Sequence, residues 1–112
     1  MQNIKLTVTL LVALSWLSPA QATTENQLNA IAKMGELNGV ALQCSFMEQM
    51  QRIKLNLVLH LPKQRELGDW FEQKTSASFM DFMSKDSSCP DSTEFVEQVD
   101  AAIMNIETTF KQ

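Results

Sequence analysis

The sequence contains no tyrosine, a single histidine, two cysteines, three glycines and three prolines in 112 residues. A catalytic nucleophile is activated by a base within hydrogen-bonding distance, and His60 is the only histidine that could act as one. Glycine-rich phosphate loops, G-x-S-x-G and H-E-x-x-H are absent, and no C-x-x-C-H motif offers covalent haem attachment. We therefore expect a protein that is not an enzyme, with no catalytic residue and no cofactor.

Long apolar runs are also missing. The longest predominantly apolar stretch, residues 6–17, is shorter than the roughly 20 residues needed to span a bilayer. It follows Lys5 and precedes Ala20-Gln21-Ala22, a small-x-small pattern that is typical of signal-peptide cleavage. We predict that residues 1–22 are a signal peptide and that residues 23–112 form a single exported domain, periplasmic or secreted, with no membrane association after cleavage.

Positive charge is scarce in the predicted mature chain. Removal of Lys5 leaves eight lysines and arginines against thirteen aspartates and glutamates, a net charge of −5. Because nucleic acids and anionic membranes are bound through basic patches, we expect neither as a partner. Four of the remaining basic residues lie in the sequence around His60, namely Arg52, Lys54, Lys63 and Arg65.

The two cysteines, Cys44 and Cys89, allow only one intramolecular pairing. Export to an oxidising compartment favours a disulfide, and the absence of C-x-x-C argues against a redox or metal-binding thiol pair. Closing a loop of this length stabilises a chain by roughly 4 kcal/mol in the chain-entropy account. We predict a structural disulfide that strengthens a small core.

Apolar residues recur every three or four positions from Leu28 to Leu61, which is the helical period. Thr24 and Gln27 form a capping-box pattern at the start. Two glycines interrupt this segment, Gly35 and Gly39. They indicate either a break at residues 36–39, which we favour because Gly often follows a helix end, or a strip of small residues that lets a neighbouring helix approach closely.

Residues 52–62 also alternate between apolar and polar positions, as a half-buried strand does. The mature chain has no second run of this kind to pair with, and the leucine-rich composition favours a helix. A helix that is apolar on most of its circumference is expected to be the most buried element. Pro62 is expected to end it and to lie in the first turn of the next helix.

The rest of the chain predicts two further helices. The first covers residues 63–84, with a kink or split at the hydroxyl-rich residues 75–78. A loop over residues 85–91 carries Cys89, and Asp91 or Ser92 caps the last helix. The sequence thus predicts an all-α bundle of three to four helices, stapled by one disulfide between Cys44 and Cys89.

Four methionines form two pairs, Met47-x-x-Met50 and Met80-x-x-Met83, each on one side of a helix. They fit core packing or an adaptable apolar surface for a partner. Thioether sulfur also suits Cu(I), so an alternative is a periplasmic Cu(I)-binding protein that uses the four methionines with His60. The residues predicted to bind a partner protein or peptide are Met47, Met50, Leu57, Trp70, Met80 and Met83.

An exported helical chain with an acidic balance and one disulfide closing a long loop resembles the small acid-activated chaperones of the bacterial periplasm. The resemblance concerns architecture alone. It implies that protonation of the carboxylates near pH 4 leaves a strong positive charge, which loosens the fold while the disulfide limits unfolding. We therefore predict an accessory or chaperone-like protein that binds another protein, and a homodimer is compatible with the same surface.

Overall fold

The computed structural model of the protein describes residues 22–111, so the predicted signal peptide lies outside the described residues apart from Ala22. Every regular element in this range is helical, which confirms the predicted all-α class. None of these helices has the length and apolar character needed to cross a membrane. The four helices are α1 (Glu25–Cys44), α2 (Met47–His60), α3 (Arg65–Ser84) and α4 (Ser92–Thr109).

Helix α1 is continuous through both of its glycines, so the predicted break at residues 36–39 is wrong. Its start is as predicted: Thr24 and Gln27 each bond the other's backbone N–H, completing the capping box. The helix ends instead at Ser45, whose left-handed conformation (φ 60°, ψ 34°) turns the chain into α2. The long apolar segment therefore forms two helices, with the boundary after Cys44.

The two glycines remain helical because α3 lies directly against them. A Cβ atom on Gly35 would lie 2.7 Å from the Cβ of Lys74, and one on Gly39 would lie 2.6 Å from the Cβ of Ser78. No side chain fits at such distances, so glycine is needed for the approach of α3. The small-residue strip is therefore the correct interpretation of these glycines.

Helix α1 packs against all three other helices. Helices α2 and α4 pack on α1 and on each other, whereas α3 packs on α1 alone among the described helices. The largest fully buried side chains lie between α1, α2 and α4, and they are Ile31, Met34, Ile53, Phe95, Val99 and Ile106. The largest core side chains thus lie among three helices, while α3 packs along α1 and adds Leu67 and Phe71 to the same core.

Helix α2 is less buried than predicted. Ile53 and Leu57 are buried, but Leu55, Val58 and Leu59 are 57%, 61% and 66% exposed. The prediction was wrong because α1 and α4 cover only part of the circumference of α2, and α3 does not pack on it. The helical assignment itself is confirmed over Met47–His60.

Helix α3 begins at Arg65, so Pro62 lies in the preceding loop and not in the first helical turn. The helix also continues without a break through residues 75–78. The hydroxyl groups there bond to backbone carbonyls: Thr75 donates to Phe71 in the same helix, and Ser78 donates to Glu36 of α1 at 2.7 Å. Contact with α1 therefore holds this segment helical.

A disulfide joins Cys44, the last residue of α1, to Cys89, with a Cα–Cα distance of 5.7 Å. This bond confirms the predicted pairing. Cys89 lies in the loop after α3, and Asp91 caps α4 by accepting from the backbone N–H groups of Thr93 and Glu94. The disulfide therefore fixes the end of α1 beside the start of α4.

Candidate functional site

The separation of α2 from α3 leaves an open groove between them. Because α2 packs towards α4 and α3 packs only on α1, the facing sides of α2 and α3 are not covered by another helix. The groove has a volume of about 520 Å³. We call it the α2–α3 groove, and its lining residues are Lys54, Leu57, Val58, Leu61, Pro62, Lys63, Gln64, Leu67, Gly68, Phe71 and Glu72.

Apolar side chains form most of this lining and continue outside it. Leu67 and Phe71 on α3 and Leu57 on α2 are buried and form part of the hydrophobic core. Val58 lines the groove, Leu55 lies one turn before it on α2, and Leu59 lies one turn after Leu55 on the side of α2 opposite Leu57; all three are more than half exposed. Contiguous exposed apolar surface of this kind marks sites of interaction with other proteins.

The charged residues of the groove have no partner of opposite sign. Lys54, Lys63 and Glu72 are absent from the ion pairs formed among the described residues. In contrast, Arg52 contacts Asp100 of α4 at 2.6 Å on another side of α2. The groove therefore offers one uncompensated lysine on α2, one in the loop between α2 and α3, and one carboxylate on α3.

The α3 wall of the groove has no side chain at Gly68. A Cβ atom added there would meet no heavy atom within 4 Å, whereas one added at Gly35 or Gly39 would collide with α3. Glycine in a helix interior costs about 1 kcal/mol relative to alanine. Packing within the described chain therefore explains two of the three glycines but not Gly68.

The residues predicted from sequence to bind a partner differ in their surroundings. Leu57 alone lines the α2–α3 groove. Trp70 is half-buried, with its indole N–H donating to the carbonyl of Leu28 at 2.9 Å and the Lys74 ammonium 4.3 Å from its ring centroid. This tryptophan fastens α3 to α1.

Three of the four paired methionines are exposed on helix ends. Met47, Met80 and Met83 are 60%, 61% and 54% exposed, while Met50 is half-buried against the core. His60 is thirteen residues after Met47 in the same helix, about 20 Å along the axis at 1.5 Å per residue. His60 is therefore too distant to complete a metal site with Met47.

Other chemistry is sparse in the described part of the chain. No group of three or more histidine, cysteine, aspartate or glutamate residues is arranged to hold a metal ion within residues 22–111. A second depression of about 750 Å³ lies where α1 begins and α2 ends. Two of its polar side chains contact other residues, since Gln27 donates to the carbonyl of Thr109 and His60 lies 3.8 Å from Glu107.

The sequence analysis missed most of the α2–α3 groove. The available signal was the apolar circumference of residues 53–61, which fits either a helix enclosed by its own fold or one that a partner covers. Periodicity alone does not separate these two cases. Comparisons with protein families, with curated proteins and with solved structures found no match to this chain.

Proposed function

We propose that this protein is an exported, non-enzymatic binding protein that holds an apolar segment of another protein in the α2–α3 groove. The observation that carries the proposal is the exposure of Val58 in an apolar groove, with Leu55 exposed one turn before it on α2. Their removal from water by a partner would stabilise a complex by roughly 25 cal/mol per Å² of apolar surface buried. An accessory or chaperone-like role follows from such a surface.

Export to the periplasm or the cell exterior is part of this proposal. Its support is the disulfide between Cys44 and Cys89, which leaves no free cysteine among the described residues. Disulfides persist in oxidising compartments and are rare in the cytosol. The signal-peptide pattern of residues 1–22 agrees with the same compartment.

An aggregation assay on a reduced, unfolded client protein tests the binding function. The mature protein is expected to suppress aggregation at near-equimolar ratio. Val58→Asp is expected to weaken this suppression roughly tenfold or more, because it places a charge where the apolar segment of the client would pack. Met104→Asp is the matched control, since Met104 is 66% exposed on α4, away from the groove. Equal protection by the two variants, or none by the unaltered protein, would remove the proposal.

The pH dependence of the same assay tests the acid-activated form of the proposal. If acid loosens the fold and exposes further apolar surface, protection at pH 3 will exceed protection at pH 7. Equal protection at both pH values would exclude acid activation and would be consistent with binding in the groove.

Sedimentation tests whether a second copy of this chain occupies the groove. In that case the unaltered protein would have a mass above that of the monomer, and Val58→Asp would return it to the monomer mass.

Binding of Cu(I) is the alternative function, and the exposure of Met80 and Met83 one turn apart on α3 favours it. Titration with Cu(I) under anaerobic conditions, with a reductant that leaves the disulfide intact, measures it directly. Uptake that disappears when Met47, Met50, Met80 and Met83 become leucine will support a thioether site. Uptake that survives the four substitutions, or no uptake at all, will exclude it.

A further inference from the structure

Gly68 lies in the fourth position of α3, in a wall that faces solvent. The two glycines of α1 permit another helix to approach the backbone closely, and a Cβ atom at either would clash. Gly68 also lacks a side chain, but none of the described residues packs closely against it. A helix that crosses the groove at Gly68 would use this space as α3 uses the space at Gly39.

The form of the surface also favours a helix over a small ligand. Small-molecule sites enclose most of their ligand, whereas this groove is open along the side of α2 and α3. Leu55 lies outside it but on the adjoining surface of α2, one turn before Val58. A bound helix would cover the groove and this surface together, as amphipathic helices do in apolar grooves.

The charged residues of the groove indicate which charges the bound helix carries along its side. Lys54 on α2 and Lys63 in the loop between α2 and α3 line the groove without a carboxylate partner among the described residues, in a chain that is acidic overall. Acidic side chains on the bound segment would complement Lys54 and Lys63. Glu72 on α3 disfavours acidic side chains on the side of the segment that faces α3.

We infer that the α2–α3 groove receives an amphipathic helix of a partner polypeptide, which crosses α3 at Gly68 and directs acidic side chains at Lys54 and Lys63. The inference rests on the proposed function and specifies the conformation and charge of the bound segment. Apolar side chains of this helix would enter between Leu57 and Phe71.

Two labelled synthetic peptides test the charge of the bound segment. Each has about 18 residues, a length at which an isolated helix begins to be stable. Both carry leucine at i, i+3, i+4 and i+7; one has glutamate along one flank and glutamine along the other, and the second has lysine in place of glutamate. By fluorescence anisotropy, the glutamate peptide is expected to bind about tenfold more tightly at low salt. The double variant Lys54→Glu with Lys63→Glu should reverse this order.

Two leucine substitutions on α3 test the crossing point. Gly68→Leu fills open space, so we expect an unchanged or higher melting temperature and at least tenfold weaker binding of the glutamate peptide. Gln73→Leu adds the same side chain to an exposed position of α3 outside the groove, and its Kd should equal that of the unaltered protein. Equal Kd values for the two variants would overturn the crossing at Gly68.

The remaining outcomes separate this inference from the proposed function. If both peptides bind equally and Val58→Asp abolishes both, the charged flank is wrong and groove binding stands. If neither peptide binds while the unfolded client is still protected, the helical occupant is wrong and groove binding stands. If neither the peptides nor the client bind, both proposals fail.

Discussion

Gly39 of α1 and Ser78 of α3 lie so close that a Cβ atom on Gly39 would be 2.6 Å from the Cβ of Ser78. The same atom would lie 2.7 Å from the carbonyl oxygen of Thr75, which belongs to the backbone and cannot rotate away. Only glycine therefore permits α1 and α3 to pack at this distance.

Alanine substitutions at Gly39 and Gly68 are expected to change stability in opposite directions. Gly39→Ala forces the helices apart, and overpacking of this kind typically costs about 1–3 kcal/mol. Gly68→Ala meets nothing within 4 Å and should gain up to about 1 kcal/mol from helix propensity. Urea denaturation of both variants measures the difference, and a stabilised Gly39→Ala would contradict the close contact.

The distinction between these glycines also indicates what the sequence could predict. Local signals were sufficient for the caps, since Thr24 and Gln27 are three residues apart, and two cysteines allowed one pairing. The meaning of Gly39 depends on Ser78, which is 39 positions later, and no local pattern contains that contact. A break was therefore predicted where the structure has close packing.

The site was less predictable than the fold for a related reason. Residues 53–61 are apolar on most of the helix circumference, so their pattern does not identify which side the rest of the chain covers. Leu57 was predicted as a binding residue and lines the groove, but Val58 was not. The exposed side of α2 follows from the packing of α3 on α1 and not on α2, which is a tertiary property.

Loss of the disulfide is expected to lower stability substantially. Cys44 and Cys89 are 45 positions apart, and opening a loop of that length costs roughly 4 kcal/mol in the chain-entropy account. The double variant Cys44→Ala with Cys89→Ala should therefore melt well below the oxidised protein. Reductant should lower the melting temperature of the unaltered protein and leave that of the double variant unchanged; equal melting of oxidised and reduced protein would contradict a stabilising role.

Asn38 is a buried polar residue whose replacement by leucine should raise stability. It is 3% exposed, its side-chain nitrogen donates to the Thr75 hydroxyl at 3.3 Å, and its side-chain oxygen has no partner among the described residues. An unsatisfied buried acceptor costs about 1–3 kcal/mol, which outweighs one long hydrogen bond. We expect Asn38→Leu to gain about 1 kcal/mol in the free energy of unfolding.

The matched control for this substitution is Asn29→Leu at an exposed position of the same helix. It changes helix propensity by the same amount without removing a buried polar group, and should alter stability by only a few tenths of a kcal/mol. A loss of stability in Asn38→Leu would mean that its bond to Thr75 contributes more than its desolvation costs.

Oxidation by dilute hydrogen peroxide should distinguish the methionines by their exposure. Sulfoxide formation requires access of the oxidant to sulfur, and Met34 is fully buried while Met47, Met80, Met83 and Met104 are more than half exposed. Mass spectrometry of proteolytic fragments over time should show these four oxidised first and Met34 last. Unfolding in denaturant should remove the difference, and early oxidation of Met34 in the folded protein would contradict its place in the core.

The central position of α1 has a consequence for how the chain reaches its folded state. Synthesis proceeds from the N-terminus, so α1 forms before the helices that cover it. Its contacts are with much later residues: Leu28 bonds to Trp70, 42 positions on, and Gln27 bonds to Thr109, 82 positions on. The face of α1 that packs on α4 thus stays uncovered until α4 has been made. In a chain that ends after α3, this face would be exposed to proteases and to other unfolded chains.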